Sequence, residues 1–145
     1  MKKVIFLDLG KHPITNNFLN TPKPNKEFFY NLKLVFNNKT KLISLANFVK
    51  PKMMFNDTYA HRASASMTMQ NAYNKLAEKI KKKYDPKKIL EIGSNDGVFI
   101  KNFKKVKNIG VEPCKNLAKI TKNMGIETYD EFWDFKLSNK IKEKH

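Results

Sequence analysis

The sequence is poor in residues whose scarcity narrows what the protein can be. It has one cysteine, Cys114, which excludes an internal disulfide and any all-cysteine metal site. It has one arginine, Arg62, among 29 basic residues set against 13 acidic ones. The resulting net charge of +16 ordinarily points to nucleic acid. Arginine, however, carries most bidentate phosphate and guanine recognition, whereas lysine is a solvated point charge. There is also no basic stripe interleaved with aromatic residues. The lysines, including Lys81-Lys82-Lys83, therefore read as solvated faces, and nucleic acid is not an expected partner. No run approaches the roughly 18 apolar residues a membrane helix needs, so no membrane is expected. The opening Met1-Lys2-Lys3-Val4-Ile5-Phe6-Leu7-Asp8 turns polar too early for a signal peptide, so the expected location is cytoplasmic.

What is present suffices for a core. Hydrophobic residues make up 41% of 145, which allows one domain or a small module plus part of another. Residues 4–7 read as a short apolar strand, with a turn marked by Gly10 and Pro13. A loop follows around Pro22 and Pro24. Leu32, Leu34 and Phe36 alternate as in a half-buried strand, Asn37-Asn38-Lys39 reads as a hairpin turn, and Leu42 to Leu45 as the returning strand. Residues 1–50 are thus expected to form a small β-rich module. Residues 51–85 form a connector and a helix. The helix is expected from Ser66, its N-cap, to Tyr84, with Met69, Tyr73, Leu76, Ile80 and Tyr84 on one buried face.

Residues 86–145 carry the most informative pattern. A short apolar run ends at Glu91 and breaks into Gly93-Ser94-Asn95-Asp96-Gly97. A helix is expected next, with Phe99, Phe103 and Val106 on one face. A second apolar run, Asn108 to Val111, ends at Glu112, 21 residues after Glu91. Another helix follows, closed by Gly125, and a third strand starts at Ile126. Phe132 to Leu137 read as a short amphipathic helix with Phe132 and Trp133 as core anchors, and His145 as a disordered end. The fold class expected is α/β, a small β-rich module followed by the first part of a doubly wound sheet. Such sheets hold nucleosides at the tips of their first two strands. Gly93 and Gly97 are expected to let the backbone approach a ligand closely. The second helix-opening turn lacks the remaining glycines of a dinucleotide fingerprint, with Asn95 and Val98 in their places, and lacks a Gly-Lys-Ser/Thr phosphate loop. An acidic residue before a looser Gly-x-x-x-Gly suits S-adenosylmethionine, a cationic nucleoside without phosphate. Glu91 would favour its methionine end, Glu112 would accept from its ribose hydroxyls, and Asp96 is a further acceptor.

The motifs Glu91-Ile92-Gly93-Ser94-Asn95-Asp96-Gly97, Gly110-Val111-Glu112-Pro113 and Asn116-Leu117-Ala118 resemble class I S-adenosylmethionine-dependent methyltransferases. More narrowly, the chain resembles nucleotide-sugar C-methyltransferases with an N-terminal zinc-binding module. Leu9-Gly10-x-x-Pro13-x-x-Asn16-x-Phe18, Met54-Phe55 and Tyr59-Ala60-His61-Arg62-Ala63-Ser64-Ala65-Ser66 carry that narrower likeness. The resemblance implies a Rossmann-like cofactor domain with S-adenosylmethionine held by Glu91, Gly93, Ser94, Asn95, Asp96, Gly97, Glu112 and Pro113. It implies a nucleotide-linked keto-sugar as substrate, with Tyr59 and His61 the catalytic candidates. Asn37 and Thr40 stand where the second zinc-binding cysteine pair of that subgroup falls, so no zinc is expected. The resemblance also makes the chain a truncated one, with about three of the family's seven strands. Self-association, or a second chain completing the sheet, is the expected consequence. A non-catalytic nucleoside-binding fragment, and a basic RNA-methylating or nucleic-acid-binding protein, are the alternatives. Cys114 reads as a buried structural thiol.

Overall fold

The computed structural model describes residues 3–21 and 27–145; the loop expected around Pro22 and Pro24 lies outside them. The chain forms two compact units, Met1–Met54 and Phe55–His145. One holds an antiparallel sheet and the other a parallel sheet, which makes the protein mixed α/β.

In the first unit, β1 (Lys3–Pro13), β2 (Phe29–Asn37) and β3 (Ile43–Leu45) lie in the order β1-β2-β3. The first strand is longer than residues 4–7, and Gly10 does not end it. Instead Gly10, at φ +76°, sits at a register shift between Asp8 and Lys11, and its N–H donates to Asp8 Oδ1 at 3.0 Å. A glycine in the left-handed region absorbs the extra residue of a bulge without breaking the pairing. The hairpin after β2 forms where the sequence placed it. Asn37 Oδ1 accepts from the N–H groups of Lys39 (2.9 Å) and Thr40 (3.2 Å), which closes the turn locally. The short helix α1 (Pro51–Met54) ends the unit.

In the second unit, α2 (Met67–Tyr84) starts at Ser66, whose hydroxyl accepts from the Met69 N–H at 3.3 Å. The expected buried face is only partly covered. Ala77 is fully buried, whereas Met69, Leu76 and Tyr84 are 39%, 45% and 64% exposed. Tyr73 supplies the face's ring contact, packing on Phe99 at 5.4 Å between centroids.

The parallel sheet contains β4 (Lys88–Ile92), β5 (Lys107–Val111) and β6 (Glu127–Tyr129) in that order. The middle strand is the core. Ile109 and Val111 pack with Leu137 and Ile141 of α4 (Phe135–Lys144), beside Tyr129. The intervening helix α3 (Lys115–Asn123) buries Leu117, Ala118 and Thr121. The C-terminal helix therefore begins later than expected, capped by Asp134, whose carboxylate accepts from the Leu137 N–H at 2.7 Å. Trp133 is 39% exposed and is not a core anchor; Leu137 and Ile141 take that role. His145 is also held, with Nε2 3.2 Å from Glu127 Oε1 and its carbonyl accepting from Lys88 Nζ.

The helix expected after Gly97 is absent. Only a three-residue 3-10 turn, Ile100–Asn102, forms there. The Asn102 side-chain amide donates to the carbonyls of Val98 (3.1 Å) and Phe99 (2.9 Å), the acceptors an α-helix would give to its backbone. Side-chain competition of this kind, next to left-handed Asn95 and Gly97, stops the helix before it begins.

Candidate functional site

The strands β4 and β5 run in parallel, with Glu91 beside Gly110 and Ile92 beside Val111. Their carboxyl ends therefore open at the same level. The turn leaving β4 folds across the end of β5, where the N–H groups of Gly93 and Ser94 both donate to Val111 O, at 2.8 and 3.0 Å. The Asn95 N–H donates to Glu112 Oε2 at 2.8 Å, and the Cys114 N–H to Glu112 Oε1 at 2.9 Å. Glu112 is thus a buried brace between two turns, each at the tip of a strand. The Cys114 thiol also hydrogen-bonds to this carboxylate, so of its about four lone-pair sites roughly one stays open to a further donor.

The glycines divide their work. Gly93 has φ +74° and open space where a Cβ would stand. Gly97, at φ +78°, would bring a Cβ within 3.2 Å of Thr121 on α3, so its bareness serves helix packing and not ligand approach. Gly110 was no part of the expected site. A Cβ there would meet Ser94 Oγ at 3.0 Å and Thr128 Oγ1 at 3.1 Å, so glycine is what admits Ser94 over the sheet. Only its place in the middle of a strand signals this in the sequence.

The donors of the turn are largely spent, since Gly93, Ser94, Asn95 and Gly97 all give their N–H groups to partners within the protein. Its acceptors are not. Glu91 Oε2, Ser94 Oγ and Asp96 Oδ1 are buried without a partner. The Glu91 carboxyl is pushed up to about 7, chiefly by burial; the Ile100 N–H works against the rise and the nearby Glu112 carboxylate adds to it. A place with unmatched buried acceptors and a second carboxylate favours a ligand that brings N–H or O–H donors and positive charge. It disfavours a phosphate.

The connector is fastened to this turn. Asn95 Oδ1 accepts from the Ala63 N–H at 2.9 Å, and Asn95 Nδ2 donates to His61 O at 3.4 Å. Asp96 Oδ2 accepts from the Ser64 N–H at 3.3 Å, and Asn116 Nδ2 donates to Tyr59 O at 2.9 Å. The backbone around Tyr59 and His61 is therefore held at the turn and at α3, while the two rings meet edge to face at 6.4 Å. The side chain of Tyr59 is half-buried and that of His61 exposed. Pro113 is half-buried between Glu112 and Cys114. Cys114 is fully buried, and its thiol is pushed up to about 12 by burial first and then by Glu112 and Asp57.

No cluster of His, Cys, Asp or Glu able to hold a metal exists among the described residues, and no helix of them is long and apolar enough to cross a membrane. At the hairpin after β2, Asn37 and Thr40 offer no thiolate. The Asn37 side chain is committed to two backbone N–H groups of its own turn. The residues there do not fit a zinc ion.

Residues 1–55 match a methyltransferase family model, Methyltransf_13, described as "Putative zinc binding domain". Across 145 aligned residues, 96% of this chain, the sequence is 23% identical to the C-methyltransferase NovU of Streptomyces niveus. The chain spans 34% of the length of that relative. Both similarities are to methyltransferases.

Proposed function

We propose that the second unit is the cofactor-binding part of a Rossmann-like methyltransferase and holds S-adenosylmethionine at the carboxyl ends of β4 and β5. One observation carries the reading: three buried oxygens, on Glu91, Ser94 and Asp96, lack partners around a turn whose donors are already used. The cofactor supplies an electrophilic methyl group. Glu91 and Asp96 suit its cationic amino-acid end, Ser94 can accept or donate, and the acceptor site left on Glu112 suits a ribose hydroxyl. Gly93 leaves open space beside these groups, and Pro113 fixes the chain after Glu112. The relative's name supports a carbon as the methyl acceptor, and the likeness at Tyr59 to Ser66 supports a nucleotide-linked keto-sugar as the molecule that carries it. Such a reaction needs a base next to the carbonyl. Tyr59 and His61, whose backbone is held at the turn and at α3, are the candidates for that base.

A second reading is a non-catalytic half-site, in which the unpartnered oxygens of Glu91, Ser94 and Asp96 serve nucleoside binding alone. Calorimetry with S-adenosylhomocysteine tests both. Saturable binding is expected, weakened at least about tenfold by Glu112→Ala, since a charged hydrogen bond contributes roughly 1.5–3 kcal/mol. Binding that is untouched by Glu112→Ala sinks the proposed pocket.

A further inference from the structure

A second hollow lies at the opposite end of the parallel sheet, where β5 and β6 begin. It is an open cavity of about 700 Å³, within the usual range of small-molecule sites. Lys101 and Lys104 reach it from the 3-10 turn and the residues after it, and Lys107 from the first position of β5. None of these three ammonium groups has an acceptor among the described residues. Lys33, Lys81, Lys87, Lys115, Lys122, Lys140 and Lys144 each pair with a carboxylate; what sets Lys101, Lys104 and Lys107 apart from the other unpaired lysines is that they line one hollow.

Two nearby sources of negative charge do not neutralise the three. Glu127 lines the hollow, but its carboxylate is held by Lys144, Tyr129 and His145. The C-terminal end of α3 forms another wall, at Met124 and Gly125. Its last carbonyls, on Thr121 and Lys122, are taken by the N–H groups of Met124, Gly125 and Ile126. A concave surface lined by unopposed charge of one sign concentrates counter-ions. Lysine serves phosphate well as a point charge where no planar bidentate fit is required. Val106, Met124, Ile126 and Asn108 complete the lining. The Asn108 amide donates to Phe103 O at 3.0 Å, and its Oδ1 is buried without a partner.

We propose that this hollow binds the diphosphate or polyphosphate group of a small molecule, on Lys101, Lys104 and Lys107, separately from the site at the carboxyl ends of the strands. The proposal rests on different residues from the methyltransferase reading and stands or falls apart from it.

Titration of the full chain with inorganic pyrophosphate at physiological salt, followed by calorimetry, tests it. Lys104 and Lys107 are exposed, so the paired substitution Lys104→Glu/Lys107→Glu leaves the core alone. A second pair, Lys82→Glu/Lys83→Glu on α2, changes net charge equally. Saturable binding is expected, weakened by about tenfold or more in the Lys104/Lys107 variant and unchanged in the Lys82/Lys83 variant. Lys104→Gln/Lys107→Gln should fall between wild type and the charge reversal. Equal weakening in both reversed variants, or no saturation, overturns the site in favour of general charge. So does a single-stranded oligouridylate that binds more tightly than pyrophosphate and loses affinity in the Lys82/Lys83 variant.

Discussion

Glu91 is the residue at which ligand chemistry and stability meet. Its carboxyl titrates near 7 because burial penalises the anion, with Glu112 adding to the penalty and the Ile100 N–H opposing it. A cationic ligand binds the ionised form, so affinity for S-adenosylmethionine should rise by about tenfold between pH 6 and pH 8. Glu91→Gln should flatten that profile; a wild-type profile just as flat contradicts the role. The stability sign runs the other way. A carboxyl raised from 4.5 to about 7 in the folded state holds its proton more tightly there than in the unfolded chain. Its favourable contribution is complete below 4.5 and is lost as pH rises through 7. Glu91→Gln should therefore stabilise the chain by about 1–2 kcal/mol more at pH 8 than at pH 4, read from denaturant midpoints, after allowance for partial solvent exposure. Cys114 gives a simpler test at the same scale. Fully buried and pushed up to about 12, it should resist thiol reagents in native buffer and react at once in denaturant.

The elements differ in how firmly local chemistry fixes them. Asp134→Ala removes the cap of α4 and should cost about 1 kcal/mol. Because α4 covers Ile109 and Val111, the loss should appear in the melting of the whole second unit. Caps and turns of this kind were legible in the sequence: Ser66 for α2, Asn37 for the hairpin, Gly125 after α3. The parallel strands β4 and β5 were legible from the two apolar runs and their terminal acids, and α3 from the helical run that Gly125 closes. The missing helix after Gly97 was not. Phe99, Phe103 and Val106 do carry helical spacing, but Asn102 captures two carbonyls and the rings are used instead to stack Tyr73, Phe99 and Phe103 in series. Periodicity records which residues turn inward and not which hydrogen bonds hold them. Of the candidate site, Glu91, Asp96 and Glu112 were readable as acids at strand ends. That Glu112 braces Asn95 and Cys114 depends on the meeting of two turns distant in sequence. The same is true of Gly110, which matters only because Ser94 and Thr128 stand over it.

At the scale of the molecule, β4 is an edge of the parallel sheet, with β5 its one neighbour among the described residues. Leu90 and Ile92 on it are 42% and 51% exposed, and α2 leaves Leu76 and Tyr84 uncovered. A strand edge with free N–H and C=O groups and apolar side chains invites pairing with another chain. Concentration-dependent association is therefore expected in sedimentation, reduced by Leu90→Lys; a monomer at all concentrations contradicts it. The antiparallel unit should melt without regard to chelators, because Asn37 and not a metal closes its hairpin. On the proposed function, the acceptors without partners at the carboxyl ends of β4 and β5 receive a cationic nucleoside. Amide resonances followed by NMR during titration with S-adenosylmethionine test it most directly. Saturable shifts are expected, concentrated in Glu91 to Gly97 and Val111 to Cys114, with the hollow at Lys101, Lys104 and Lys107 undisturbed. Shifts absent from those two turns, or spread across the lysine surface, would contradict it.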